Sequence, residues 1–205
     1  MERLKKLELR YVKELWDKLT QGWFGYVFYA LLGVFLAYLF QNVILAKILG
    51  TSMPVVAVYS GSMDHGIYFG SLPCKGNAAN YVENFDNWWE LCKDFYEEIG
   101  ITKEQFMSFP FKDGFKRGDM PIIKGSENYK VGDIIVYSVP TEKAPIIHRI
   151  VKINPDNTYQ TKGDHNPGQN IYEYSVRKEQ IYGKVIFIIP KLGYFKVLIS
   201  DIFGF

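Results

Sequence analysis

Cysteine is nearly absent from this sequence, with only Cys74 and Cys92 among 205 residues. Neither has a CxxC partner or a clustered histidine, which sets aside zinc and other thiolate metal centres. Eighteen positions apart, they read as two separate small buried side chains. A disulfide is the alternative if their segment lies outside the cytosol. Histidine is almost as scarce, at three. A surplus of one charge is also missing. The formal net charge is +2, and Lys and Arg are spread among acids rather than gathered in a basic run with interleaved aromatics, so nothing points to nucleic acid. Internal repeats and low-complexity tracts are lacking, and a hydrophobic content of 48% excludes wholesale disorder.

The most informative absence is local. No residue from Leu19 to Ala46 is charged, and between Lys18 and Asp64 the only charge is Lys47. About 20 apolar residues cross a bilayer core as a helix, so residues 19–46 are long enough for a transmembrane anchor. They are too long for the apolar region of a cleavable signal peptide. Trp23, Tyr26 and Tyr29 lie near one end, where amphipathic rings favour the interface. Residues 1–18 carry Arg3, Lys5, Lys6, Arg10, Lys13 and Lys18, which places the N-terminus in the cytoplasm and the chain after about residue 47 outside it. Leu4, Leu7, Leu15 and Trp16 among these charges suit a short amphipathic helix on the inner membrane surface.

Beyond the anchor, the sequence predicts a mainly β domain over residues 47–190, antiparallel and partly closed like a barrel. Its expected strands are Pro54–Tyr59, Asp133–Val139, Ile146–Ile153, Thr158–Thr161 and Ile181–Ile189, with a turn at Asn154-Pro155-Asp156-Asn157. A different texture interrupts it at about 67–111. Phe85, Trp88, Trp89, Leu91, Cys92, Phe95 and Ile99 recur at mixed helical spacing, and Thr102-Lys-Glu-Gln105 offers a capping pattern. This block reads as a helical insertion. The tail, 191–205, is apolar apart from Lys191, Lys196 and Asp201 and too short to span, which predicts a segment lying on or dipping into the membrane.

Ser60-Gly61-Ser62-Met63 follows an expected strand and begins a turn, where a serine hydroxyl can be held exposed. Such a hydroxyl needs a neighbouring base to become a nucleophile. Gly61 lets backbone approach a substrate carbonyl, and amides of the turn can stabilise an oxyanion. His148 stands in an apolar strand-like run, as a satisfied core residue or a rigidly held base. His165 lies in the polar turn Lys162-Gly163-Asp164-His165-Asn166, where Asp164 could orient an imidazole.

Taken in order, Ser60-Gly-Ser62-Met63 after an anchor, Arg117-Gly118-Asp119, Gly132-Asp133-Ile-Ile, His148-Arg149-Ile-Val, Lys162-Gly163-Asp164 and Gly183-Lys184-Val185 resemble the boxes of type I signal peptidases. The likeness is to the archaeal and endoplasmic-reticulum branch, where histidine replaces the lysine base of bacterial relatives. It spans roughly residues 20–195, apart from the insertion. It implies a serine endopeptidase that removes signal peptides from preproteins, with Ser62 as nucleophile, His148 as general base, and the Ser62 amide and Ser60 hydroxyl binding the oxyanion. It implies no cofactor. The expected partners are preprotein signal peptides, the lipid bilayer and the secretion machinery. The expected location is the cell membrane, single-pass with the catalytic domain extracytoplasmic.

Two positions depart from the family pattern. His65 stands where a proline is frequent, and Asn170 stands where a further aspartate usually serves as the histidine's partner. Three assignments of that role are open: a carboxylate from Asp164 or Glu173, or Asn170 itself. Asp164 is the favoured one. An Asp-to-Asn change in a serine triad can cost about 10⁴ in rate. Asn170 therefore also motivates an alternative, a catalytically weakened membrane subunit that binds preproteins. A third reading is a membrane-anchored scaffold that uses the aromatic insertion as its contact surface.

Overall fold

The computed structural model describes residues 2–74, 82 and 84–203. It divides into two units, Met1–Leu45 and Ala46–Phe205. In the first, helix α1 (Glu2–Thr20) is followed by α2 (Gly22–Leu39). The break falls where Gly22 takes a positive φ of 64°. Helix α2 passes through a π-helical turn (Phe40–Leu45) into α3 (Ala46–Leu49), so the helix runs unbroken for the 28 residues Gly22–Leu49. At 1.5 Å per residue it is about 42 Å long, more than a bilayer core requires. Phe24, Leu31, Val34 and Leu36 are exposed along it, as lipid-facing positions would be.

The second unit is built on a five-stranded antiparallel sheet: β1 (Met120–Lys124), β2 (Ile134–Tyr137), β3 (Ile146–Ile153), β4 (Tyr159–Lys162) and β5 (Ile181–Ile189), in the order β1-β5-β2-β3-β4. The β-rich antiparallel domain expected from the sequence is present, but the sheet remains open. Each edge is covered by irregular chain. Residues 54–58 run along β1, with Val56 N–H donating to Pro121 O and Ile123 N–H to Pro54 O. Val176 exchanges backbone hydrogen bonds with Tyr159 of β4. Pro54–Tyr59 is thus a single bridge and a few hydrogen bonds rather than a regular strand. Val56, Val58, Met63, Phe115, Ile123, Ile134, Val136 and Val185 form the core behind it.

The interrupting block is helical where it is described. Helix α4 (Phe85–Glu98) begins at Asn84, whose side chain accepts the Asn87 N–H, and α5 (Lys103–Met107) begins at Thr102, which accepts from Gln105. Trp88, Trp89, Cys92, Tyr96 and Phe106 make a separate aromatic core. Cys74 and Cys92 are bonded to each other, which corrects the expectation of two separate thiols. Their Cα atoms lie 5.2 Å apart because Cys92 faces inward from α4. Helix α6 (Tyr194–Phe203) ends the described chain, with Phe195, Leu198 and Ile202 exposed.

Phe106 is fully buried and carries the Arg149 guanidinium 4.8 Å from its ring centroid. Phe106→Ala is expected to cost about 3–5 kcal/mol, through an aromatic-sized cavity. A urea-unfolding midpoint in detergent checks this.

Candidate active site

The Ser60–Asp64 turn is gripped from several sides. Asp64 N–H closes it on Gly61 O, Phe115 N–H donates to Met63 O, and His165 N–H donates to Ser62 O at 2.8 Å. Met63 is buried as the peg of the turn. Gly61 has no room for a side chain, since a Cβ there would enter the Tyr68 ring. The Ser60 and Ser62 hydroxyls lie 3.2 Å apart. Upstream, Val58 exchanges hydrogen bonds with the Arg117-Gly118-Asp119 turn, through Val58 N–H to Asp119 O and Gly118 N–H to Val58 O. Arg117 Nη2 reaches both carboxylate oxygens of Asp201 on α6 at 2.6 Å.

His148 and Arg149 are neighbours on β3, and neighbours on a strand point to opposite faces. On one face His148 Nδ1 lies 2.5 Å from Glu173 Oε1. A carboxylate only accepts, so Nδ1 is the donor, and Nε2 is the ring nitrogen without a hydrogen bond among the described residues. Glu173 is fully buried in a short 3₁₀ turn (Ile171–Glu173). Its other oxygen accepts from the Asn170 backbone N–H at 2.7 Å and from Asn170 Nδ2 at 3.1 Å.

On the opposite face, Arg149 donates to both oxygens of Asp164, the shortest contact being Nη2 to Oδ2 at 2.7 Å. Asp164 also accepts from His65 Nε2 at 3.0 Å and Tyr96 Oη at 3.3 Å. Burial alone would raise Asp164, but the Arg149 guanidinium and the hydrogen bonds from His65 and Arg149 hold it well below the usual carboxylate range. The favoured expectation for Asp164 is therefore corrected. Strand alternation commits it to Arg149, and among the described residues it has no hydrogen bond to His148. Among the described residues Asn170 makes no hydrogen bond to His148 either; it bonds Glu173.

Ser60, Ser62, His148, Asn166, Asn170 and Tyr172 line one cavity of about 330 Å³. A Cβ at Gly163 would overlap Asn166 Nδ2, the Ser62 carbonyl oxygen and His148 Nε2, so only glycine lets these three groups approach its backbone so closely. Among the described residues Ser62 Oγ makes no hydrogen bond to His148, and its hydroxyl partner is Ser60. An apolar groove of about 560 Å³ adjoins the cavity, with Met53, Val55, Ala57, Val136, Pro145 and Ile147 among its walls. Lys162 opens onto neither. It is fully buried, donates to Gly163 O at 3.0 Å, and lies 5.0 Å from the ring centroids of Phe95 and Tyr96. Burial pushes it down to about 8. Among the described residues no three His, Cys, Asp or Glu side chains converge as ligands for an ion.

Glu173 stood among the sequence candidates without being favoured. The available signal was Asn170-x-x-Glu173, an N-cap residue with a glutamate three positions on, which binds that carboxylate to the turn.

A serine hydroxyl and a carboxylate-backed histidine lining one cavity are the residue types that serine hydrolases use. No family model matches the chain. It is 36% identical over 106 residues to the signal peptidase complex catalytic subunit of Eremothecium gossypii, covering 46% of this chain and 64% of that protein. The corresponding subunit of Lachancea thermotolerans gives 36% over 107 residues and the same coverage. That of Komagataella phaffii is 31% identical over 128 residues, 52% of this chain and 75% of that protein. The chain belongs to the type I signal peptidase family, in the branch of these catalytic subunits. It spans 64% of the length of the first two relatives.

Acid should destabilise the fold in two stages. Burial lowers His65 despite Asp164 beside it, with Arg149 and Asp113 also acting on it. The unfolded chain therefore takes that proton first, and stability falls as pH drops below about 6.5. The contribution of Asp164 is complete above its unfolded value of about 3.9 and is lost as pH falls below that. Asp164→Asn, which leaves Arg149 buried and unpaired, should cost about 3–5 kcal/mol at pH 7. Thermal unfolding of both proteins between pH 3 and 8 tests the order of these losses.

Proposed function

We propose that this protein is a membrane-anchored serine endopeptidase that removes signal peptides from exported preproteins. The observation that carries the reading is the shared cavity, where Ser62 faces a histidine whose far nitrogen is held by a buried glutamate. Ser62 Oγ attacks the scissile carbonyl while His148 Nε2 takes its proton. Glu173 holds Nδ1–H and stabilises the imidazolium that forms. The Ser62 amide and the Ser60 hydroxyl bind the oxyanion. His148 then protonates the leaving amine, and water, deprotonated by the same nitrogen, releases the acyl group. The chemistry needs no cofactor.

The substrate lies extended beside residues 53–59. Val56 and Val58 turn their amides to β1 and the 117–119 turn, whereas Ala57 and Tyr59 make no backbone–backbone hydrogen bond among the described residues and line the groove. That alternation leaves one edge free for strand addition. Ala57, Ala144 and Pro145 border both cavity and groove, which suits small side chains before the cleaved bond.

The helix Gly22–Leu49 supplies the anchor, and the basic residues before it argue for a cytoplasmic N-terminus with the catalytic domain outside. The exposed apolar residues of α6 suit contact with the same membrane. The relatives are named as catalytic subunits of a signal peptidase complex, which supports association with other subunits. Asn170 was the ground for a weakened, binding-only subunit. It donates to Glu173 rather than standing in for it, so that alternative has no geometric support.

With a model preprotein in detergent, Ser62→Ala should abolish cleavage, and Glu173→Gln should lower kcat by about 10³–10⁴ through loss of the correct tautomer. Unchanged cleavage by Ser62→Ala ends the reading. Asn170→Asp sets a second carboxylate against Glu173 and should slow turnover roughly 3–10-fold, by like-charge repulsion at an exposed position. A faster enzyme would instead assign the orienting role to position 170.

A further inference from the structure

Among the described residues, none between 67 and 111 lines the walls of either the cavity or the groove. The insertion nevertheless reaches the nucleophile in two hydrogen bonds. Cys74 N–H donates to His165 O at 2.8 Å, and His165 N–H donates to Ser62 O at 2.8 Å. The His165 ring adds Nδ1–H to Asp64 O at 2.9 Å. The turn 162–166 is therefore held on one side by the insertion and on the other by the Ser62 turn.

What fixes the insertion side is the Cys74–Cys92 bond. Cys92 belongs to α4, where Trp88, Trp89 and Tyr96 pack against one another with ring centroids about 6 Å apart. From the same helix Tyr96 Oη reaches Asp164, and Trp88 stacks on His65 at 3.8 Å. The disulfide also roofs Lys162, whose ammonium lies 3.8 Å from Cys74 Sγ while donating to Gly163 O. Gly163 is the residue whose backbone bounds both Ser62 and His148.

We propose that the insertion is a disulfide-locked buttress for the nucleophile, so that the Cys74–Cys92 bond governs turnover rather than substrate binding. The proposal rests on the protease reading given above. Reduction by a dithiol converts the cystine into two cysteine thiols, and the dithiol becomes its cyclic disulfide. With Cys74 no longer tethered to α4, the His165 carbonyl loses its fixed donor and the turn beneath Ser62 gains freedom. A displacement on the order of 1 Å at a reacting atom costs roughly 10²-fold in rate. The groove is walled by other segments and keeps its shape. Cys74 and Tyr96 act through the turn and are positioning residues.

The test compares kcat and KM of the full chain in detergent on a model preprotein. The protein is assayed oxidised, then reduced with dithiothreitol, then reoxidised, with free thiols counted and unfolding midpoints recorded at each stage. The expected result is a 10–100-fold fall in kcat on reduction, KM within twofold, and recovery on reoxidation. Cys74→Ala/Cys92→Ala should reproduce the reduced values. Tyr96→Phe, which keeps the ring and removes only its hydrogen bond to Asp164, should lower kcat about threefold with KM unchanged. Unchanged kcat in the reduced, folded protein overturns the proposal. So does a loss that merely tracks the unfolded fraction. An oxidised Ser62→Ala control separates the two ideas, because cleavage by that variant sinks the protease reading itself.

Discussion

The Arg149–Asp164 pair organises this domain. Both side chains are fully buried, and an ion pair survives there only if nearly every remaining donor and acceptor is satisfied. Arg149 meets that condition by spending its other donors on the carbonyls of Pro110, Phe111 and Gly132. These carbonyls end the insertion and lead into β2, so one guanidinium ties together the sheet, the insertion and the turn of Asp164. Because Arg149 occupies one face of β3, its neighbour His148 is committed to the other, where the cavity lies. The structural pair and the chemical pair are consecutive residues kept apart by the pleat.

The two faces differ in how they treat charge. On the Arg149 side a guanidinium and a carboxylate neutralise each other, and His65 is held neutral by burial. Lys162 is the exception on that side. It faces the same way as Arg149, its register partner on β4, and its contacts are a carbonyl, a sulfur and two ring faces. A lysine held near 8 rather than about 10.5 costs folding about 3 kcal/mol at neutral pH, an expense the surrounding packing must offset. On the His148 side one buried carboxylate meets one imidazole, and the imidazole's other nitrogen is open to the cavity. That asymmetry suits a base that must gain and lose a proton at the same atom.

Much of this was legible in the chain because it rests on local chemistry. β3 and β5 were outlined by β-branched runs and the turn at Asn154–Asn157 by its composition, and the helices of the insertion were announced by the spacing of apolar residues from Phe85 to Ile99 and by the capping pattern at Thr102. Strand β1 was not, since Met120-Pro121-Ile122-Ile123-Lys124 is short and carries a proline tolerable only near an edge. The open sheet was equally hidden, because closure depends on register and edge cover rather than on strand count. The cysteine pairing required knowing that Cys74 meets the inner face of α4. Asp164 misled for a related reason. Its proximity to histidine is real, but the histidine it bonds is His65, ninety-nine positions away.

Asn170 then takes on a different meaning. Its side chain meets Glu173 and Tyr172, not the His148 ring nitrogen that Glu173 holds. With Glu173 in position, the residue at 170 must offer donors to its outer oxygen, and asparagine supplies a side-chain amide in addition to its backbone N–H. An aspartate there would bring a second negative charge to the same oxygen. The glutamate and the asparagine therefore act as one hydrogen-bonded unit. The carboxylate beside His148 lies three residues along the chain from position 170, on a 3₁₀ turn, and Asn170 is its hydrogen-bond donor.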